Sequence, residues 1–263
     1  MISLVRFVLA AAAIAFAAPV ASALQVVGLT SDNRLVTFDT QNPKITARVA
    51  ATGIEGRLIG IDVRPADNRL YGVDDRGIIY VLTMPSGAAT IVARVAQPFA
   101  GTPKAVVDFN PQADRLRLIN LAGTSLRIVT ESGAVVVDGR LRYADGDVNQ
   151  GKAPTITTGA YTNAFAGARG TELFNIDTAL DVLVLQSPPN DGVLQTRGKL
   201  GVDFSPTTAF DITPTGDGGN EAYAVSNRRL YRIDLATGHA RRGARISGLD
   251  ADLIDIAIIH APR

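Results

Sequence analysis

The chain contains no cysteine and no tryptophan, and only two histidines and two methionines among 263 residues. Without cysteine there are no disulfides, no thiolate metal sites and no lipidated N-terminal cysteine. The two histidines, His239 and His260, are too few for a His-rich metal centre. A Ser-His-Asp triad would need one of them held by a partner in a formed cleft. One follows a turn glycine and the other lies three residues from the C-terminus, positions that read as surface. No glycine-rich loop opens a helix, so the usual phosphate cradle is missing. The lack of tryptophan and the scarcity of tyrosine disfavour an aromatic platform for sugars.

Long apolar runs are scarce too. The one candidate is Phe7–Ala18, preceded by Arg6 and followed by Pro19 and Ala21-Ser22-Ala23. It falls short of the roughly 20 apolar residues that a spanning helix needs. A positive start, a short apolar stretch and an Ala-x-Ala site are the parts of a secretory signal. Residues 1–23 are therefore expected to be a cleaved signal peptide, with the exported chain starting at Leu24 and residues 24–263 forming one domain. That route implies a periplasmic or secreted protein with no membrane insertion after cleavage. The chain has 26 Lys+Arg and 25 Asp+Glu, and Arg6 is the only charge in the signal, so the mature part is formally neutral. A neutral chain without a basic block gives no electrostatic case for nucleic acid.

What is present is repetition. Short apolar runs alternate with Gly, Pro, Asp and Asn clusters every eight to twelve residues, the spacing of strands. One unit, apolar-x-x-apolar followed by Asp or Thr, occurs at Leu35…Asp39, Ile79…Thr83, Leu126…Thr130, Leu173…Asp177 and Leu230…Asp234, with steps of 44, 47, 47 and 57 residues. Several copies run into Ser86-Gly87, Ser132-Gly133 or Thr237-Gly238, where glycine supplies the positive φ of a tight turn. A second unit lies upstream, at Ile61-Asp62-Val63-Arg64-Pro65, Val107-Asp108-Phe109-Asn110-Pro111 and Phe210-Asp211-Ile212-Thr213-Pro214. Four strands in about 45 residues is one propeller blade. The first blade lacks the second unit, which appears instead at the far end as Leu253–Ile258 around Asp255. The expected fold is an all-β, five-bladed propeller of four-stranded blades, its ring closed by pairing of the N- and C-terminal strands.

Several segments, taken together, resemble one bacterial secreted family. They are Gly28–Leu35, Gly60–Pro65, Ala160-Tyr161-Thr162-Asn163, Leu173–Asp181 and Pro188-Pro189-Asn190-Asp191-Gly192. That family is known as domain of unknown function 4394. The resemblance spans nearly all of the mature chain. It implies a propeller-like repeat protein and no particular activity or catalytic residue.

Two constellations could carry chemistry. Asp62, Asp108, Asp211 and Asp255 recur at equivalent strand positions, and on innermost strands they would approach the central channel. Like charges there raise one another's pKa or recruit a cation, and a residue present in nearly every repeat also reads as a structural peg. The second is Asp145-Gly146-Asp147-Val148-Asn149-Gln150-Gly151, which has no counterpart in other blades. It imitates the start of a calcium loop, but its glycine comes one position late and Ile156 stands where the closing Glu belongs. Asp147 and Asn149, with Tyr161 and Asn163 downstream, are the candidate ligand-binding residues. No cofactor is evident, and Ca²⁺ is the ion such oxygens would take. The expected function is non-catalytic binding or scaffolding for a protein, peptide or glycan. The alternative is a hydrolase or lyase that uses the channel carboxylates, calcium-assisted.

Overall fold

A computed structural model describes residues 23–99 and 103–259, so residues 1–22 of the expected signal peptide and His260 lie outside the described residues. Five antiparallel sheets follow one another around a ring. Blade one comprises β1 (Gln25–Thr30), β2 (Arg34–Asp39) and β3 (Ala47–Ala50). Blade two is β4 (Leu58–Arg64), β5 (Arg69–Asp74), β6 (Ile78–Thr83) and β7 (Ala88–Arg94). Blade three is β8 (Val106–Asn110), β9 (Arg115–Ile119), β10 (Ser125–Ile128) and β11 (Val135–Val137). A short β12 (Arg142–Tyr143) precedes blade four, which is β13 (Ile156–Tyr161), β14 (Leu173–Asp177), β15 (Val182–Gln186) and β16 (Val193–Lys199). Blade five is β17 (Ala209–Pro214), β18 (Asn220–Ser226), β19 (Arg229–Ile233) and β20 (Ala240–Arg245). The last strand, β21 (Leu253–Ile259), returns to pair with β1 as the inner strand of blade one. No helix of the described residues is long and apolar enough to cross a membrane.

The inner strands form a closed circuit: β21 packs on β4, β4 on β8, β8 on β13, β13 on β17, and β17 on β21. Burial falls off outward, as the sequence dictates. All seven residues of Leu58-Ile59-Gly60-Ile61-Asp62-Val63-Arg64 are buried, whereas none of Ala88–Arg94 is. Each gap between blades holds its own apolar layer. Val27, Leu29, Leu35, Ile61, Ile78 and Tyr80 join blades one and two, and Phe174, Leu183, Phe204, Phe210, Ile212 and Ala224 join four and five. Each fully buried aliphatic or aromatic side chain contributes about 1.5–3 kcal/mol. The fold is thus held mainly across blades, and no blade can bury both of its faces alone.

The turn glycines serve this packing as well as the turn. Gly87 and Gly133 have φ of 74° and 70°. A Cβ on Gly87 would lie 2.2 Å from the Ala50 carbonyl of blade one, and one on Gly133 would lie 1.8 Å from the Arg94 carbonyl of blade two. Both turns press onto the outer strand of the preceding blade.

One repeat copy falls on a different strand from its counterparts. Leu35, Ile79, Leu126 and Leu230 sit on third strands, but Leu173…Asp177 is the second strand of blade four. The motif is ambiguous because its terminal Asp is a local turn device. Asp177 accepts the N–H groups of Ala179 and Leu180, as Asp39 accepts those of Gln41 and Asn42. The true third-strand residue is Leu183, which moves the 57-residue step to between blades three and four. An insertion, residues 138–155, fills it.

Ring closure rests on the register of β21 with β1, from Gln25↔Ile259 to Thr30↔Leu253 across one bulge. Removing residues 253–263 would expose the inner edge of β1 and strip Leu253, Ile256 and Ile258 from one apolar layer and Ile254 and Ala257 from the next. The expected loss is several kcal/mol, comparable with the whole stability of about 5–15 kcal/mol of a typical domain. Thermal melting followed by circular dichroism should show no cooperative transition in the truncated protein; melting at the wild-type temperature would contradict closure by the termini.

Candidate functional site in the central channel

The inner edge of each inner strand has no neighbouring strand to accept its N–H groups, so something else must. The repeated aspartates do. Asp255 of blade one accepts the N–H of Ile61 in blade two at 2.9 Å, and Asp62 accepts that of Phe109 in blade three at 2.7 Å. Asp108 accepts the N–H of Tyr161 in blade four at 3.0 Å, and Asp211 of blade five accepts that of Ile258 in blade one at 2.7 Å. Three of them also accept the N–H of their own successor: Asp62 from Val63, Asp211 from Ile212 and Asp255 from Ile256. Each carboxylate therefore fastens its blade to the next. The structure brings three of the four aspartates close together: one oxygen each of Asp62, Asp108 and Asp211 lies within 4.8 Å of the others.

Blade four breaks the series. Strand register places Ala160, opposite Phe174, where the aspartate stands in the others, for Asp62 faces Tyr71, Asp108 faces Arg117 and Asp211 faces Tyr223; beside it, Gly159 stands opposite Asn175. A Cβ on Gly159 would lie 2.0 Å from Asn175 Oδ1. The link from blade four to blade five is made by a different pair. Asn163 N donates to Asn220 Oδ1 at 2.8 Å, and Asn220 Nδ2 donates back to Asn163 Oδ1 at 3.1 Å.

One cation reaches the cluster. Lys104, buried in the segment before β8, donates from Nζ to the Thr208 carbonyl at the start of β17 and lies against the charge of Asp255. Burial pushes its ammonium down to about 8, opposed by Asp255. Burial also pushes the carboxyls up. Asp62 and Asp108 are raised well above the usual range, first by desolvation and then by the neighbouring carboxylates. Asp255 is raised by desolvation and restrained by Lys104. Asp211 is pushed up to about 7 by burial, against the N–H groups of Ile258 and Ile212.

The other predicted residues lie elsewhere. Asp147 and Asn149 sit at the outer edge of blade four, where β12 runs parallel to β16. Asp147 accepts Thr196 N at 2.6 Å and Thr196 Oγ1 at 2.8 Å, and Asn149 Nδ2 donates to Thr196 Oγ1 at 3.0 Å. Tyr161 is buried at the inner edge, its hydroxyl accepting Arg117 Nε at 3.1 Å. Three strand spacings of about 4.8 Å, about 14 Å in all, separate the two pairs, so the structure does not bring them together. His239 is exposed on the turn after β19. Lys104 escaped the sequence reading because it belongs to no repeated motif, and Asn175 because it occupies a variable position of one. Their one signal is the missing aspartate copy in blade four.

The insertion also shapes an open groove of about 570 Å³, lined by Arg140, Arg142, Tyr143, Asp145, Gln150 and Lys152 among others. On the same insertion Val148 is 79% exposed.

A family model described as "Domain of unknown function (DUF4394)" matches residues 34–257. Among solved structures, a structural genomics protein of unknown function from Bacteroides thetaiotaomicron superposes with a TM-score of 0.52 at 15% identity, over 90% of this chain and 73% of that one. The dihydro-heme d1 dehydrogenase NirN, in complex with DHE, gives a TM-score of 0.41 at 12% identity, over 87% of this chain and 44% of that one. No curated protein matches.

The raised carboxyls fix the sign of a pH effect. Between the ordinary carboxylate value near 4 and about 7, the folded protein holds protons that the unfolded chain has released. Stability should therefore fall as pH rises through that window. In a chelating buffer the melting temperature is expected to drop from pH 4 to 7, with a shallower slope in Asp211→Asn. A wild-type melting temperature that is flat or rising across the window would contradict the buried-acid description.

Proposed function

We propose that this chain, which belongs to the family described as domain of unknown function (DUF4394), is a non-catalytic extracytoplasmic binding protein for a peptide or glycan. The reading rests on one observation: the longest insertion in the five-fold repeat among the described residues, 138–155, carries the groove at the flank of blade four. Binding residues tend to lie on loops placed by a rigid scaffold. Arg140, Arg142 and Lys152 give the groove cationic donors, Asp145 and Gln150 give it acceptors, and Val148 on the same insertion is an exposed apolar side chain. Asp147 and Asn149 anchor its wall to Thr196, while Tyr161 and Asn163 hold the inner end of the same blade. A partner with carboxylate or sulfate groups and some apolar surface suits this mixture.

A hydrolase working through the channel acids has less support. Asp62, Asp108, Asp211 and Asp255 are only 5–8% exposed, and each holds main-chain N–H groups. A substrate would have to displace the ring's own hydrogen bonds to reach them.

An array of acidic peptides and anionic glycans, screened against the mature protein, tests the proposal. A ligand found this way should lose at least tenfold in affinity in Arg140→Ala/Lys152→Ala, and similarly in Val148→Asp, with melting unchanged because all three side chains are exposed. Undiminished affinity in both variants would move the site away from the groove.

A further inference from the structure

The formally neutral chain is not neutral blade by blade. Residues 228–245 hold six arginines, Arg228, Arg229, Arg232, Arg241, Arg242 and Arg245, and one acid, Asp234. A turn splits them in sequence, and the β19–β20 hairpin folds them back together. Register sets Arg232 opposite Arg241 and Arg229 opposite Arg245. Like charges directly opposite one another destabilise a strand pair, so the hairpin keeps these arginines against its own stability. Glu221 offsets Arg232, Asp252 offsets Arg228, and Arg229 donates to the Gly243 carbonyl at 2.6 Å. Among the described residues no carboxylate pairs with Arg241, Arg242 or Arg245. Residues 241–245 are all exposed.

A charged edge strand can serve only to keep sheets from pairing with one another. The other open outer strands manage with less: β3 and β7 carry one arginine each, and β11 has no charged residue. Three arginines in the six residues of β20 go beyond that need. The outer edge of a blade in this fold also takes an added strand. In blade four β12 lies parallel along β16, and the N–H groups of Arg142 and Ala144 donate to the carbonyls of Gly192 and Leu194, both at 2.9 Å. In blade five the sheet ends at β20. A groove of about 350 Å³ opens there between blade five and residues 40–43 of blade one, with Pro43, Leu230, Arg241 and Ala244 in its lining.

We propose that the outer edge of blade five docks an extended acidic segment of a partner protein, which adds as a fifth strand beside β20 and sets its carboxylates against Arg241, Arg242 and Arg245. The placement is the one β12 takes beside β16. Arginine holds carboxylates through two parallel hydrogen bonds, and main-chain bonds to a strand edge supply affinity. An apolar side chain among the acids would enter the groove beside Pro43 and Leu230. An anionic glycan suits the edge less. The rings of Tyr223 and Tyr231, which also line the groove, are buried and offer a sugar no face to stack on. This surface belongs to blade five and the groove of the insertion to blade four, so each can fail without the other.

The probe is a fluorescein-labelled octapeptide of Glu with Val at its centre, titrated by fluorescence anisotropy. The protein is the mature chain carrying Arg140→Ala/Lys152→Ala, which takes the blade-four groove out of the measurement. Saturable one-to-one binding is expected, weakening at least tenfold between about 50 and about 500 mM salt because exposed charges are screened. Adding Arg241→Ala/Arg242→Ala should weaken binding at least tenfold at low salt. Melting should stay unchanged or rise, since the change relieves the repulsion between Arg232 and Arg241. The peptoid counterpart of the probe keeps every carboxylate and has no N–H, and it should bind at least tenfold more weakly than the peptide. Absence of saturable binding at low salt, or equal affinity with and without Arg241 and Arg242, would overturn the surface. Equal affinity of peptide and peptoid would overturn the added strand. A sulfated polysaccharide that binds this edge where the peptide does not would overturn the protein partner in favour of a glycan.

Discussion

The propeller depends on a hydrogen bond that crosses from blade to blade: an inner-strand aspartate accepting a main-chain N–H of the next blade's inner strand. Five sheets meeting around an axis leave five strand edges facing one another at an angle that ordinary sheet pairing cannot bridge. A carboxylate spans that space, and its two oxygens accept from two blades at once. Asp62 does so with Val63 and Phe109, and Asp211 with Ile212 and Ile258. The apolar layers between blades shield these hydrogen bonds from water. The cost is a concentration of acid in a buried place, which raises the carboxyls and draws Lys104 into the channel.

This arrangement explains why the fold was legible in the sequence. A peg needed in every gap imposes the same residue at the same strand position, so Asp62, Asp108, Asp211 and Asp255 appear as a repeat whose last copy lies at the C-terminus. That displaced copy is the sequence's record of ring closure. The apolar-x-x-apolar-Asp unit was less dependable, since an aspartate that caps a turn works at the end of any strand. Asp177 caps the second strand of blade four, whereas Asp39 and Asp234 cap third strands.

What the sequence concealed lies where the repeat is interrupted. Ala160 replaces the aspartate of blade four, and nothing in its neighbours announces that Asn175, paired across the sheet with Gly159, crowds the strand beside it. Lys104 comes from a loop with no counterpart, so its arrival beside Asp255 could be known only from the fold. The insertion was visible as an Asx-rich departure, but its path was not. Its β12 adds to the outside of β16, so Asp147 and Asn149 face the perimeter while Tyr161 and Asn163 stay by the axis. Local pattern specifies which turn a segment makes. It does not specify the edge of the sheet on which the segment lands.

Blade four is thus the asymmetric element at both of its ends. Its inner end lacks the peg, and its outer end carries the groove. Both depend on the other four links holding the ring, so the most direct measurement is amide hydrogen exchange at those links. In wild type the N–H groups of Ile61, Phe109, Tyr161 and Ile258 should exchange only through global unfolding. In Asp62→Asn the Phe109 amide alone should become fast while Tyr161 stays protected. Rapid exchange of all four in folded wild type, or a Phe109 amide unaffected by the substitution, would contradict the account.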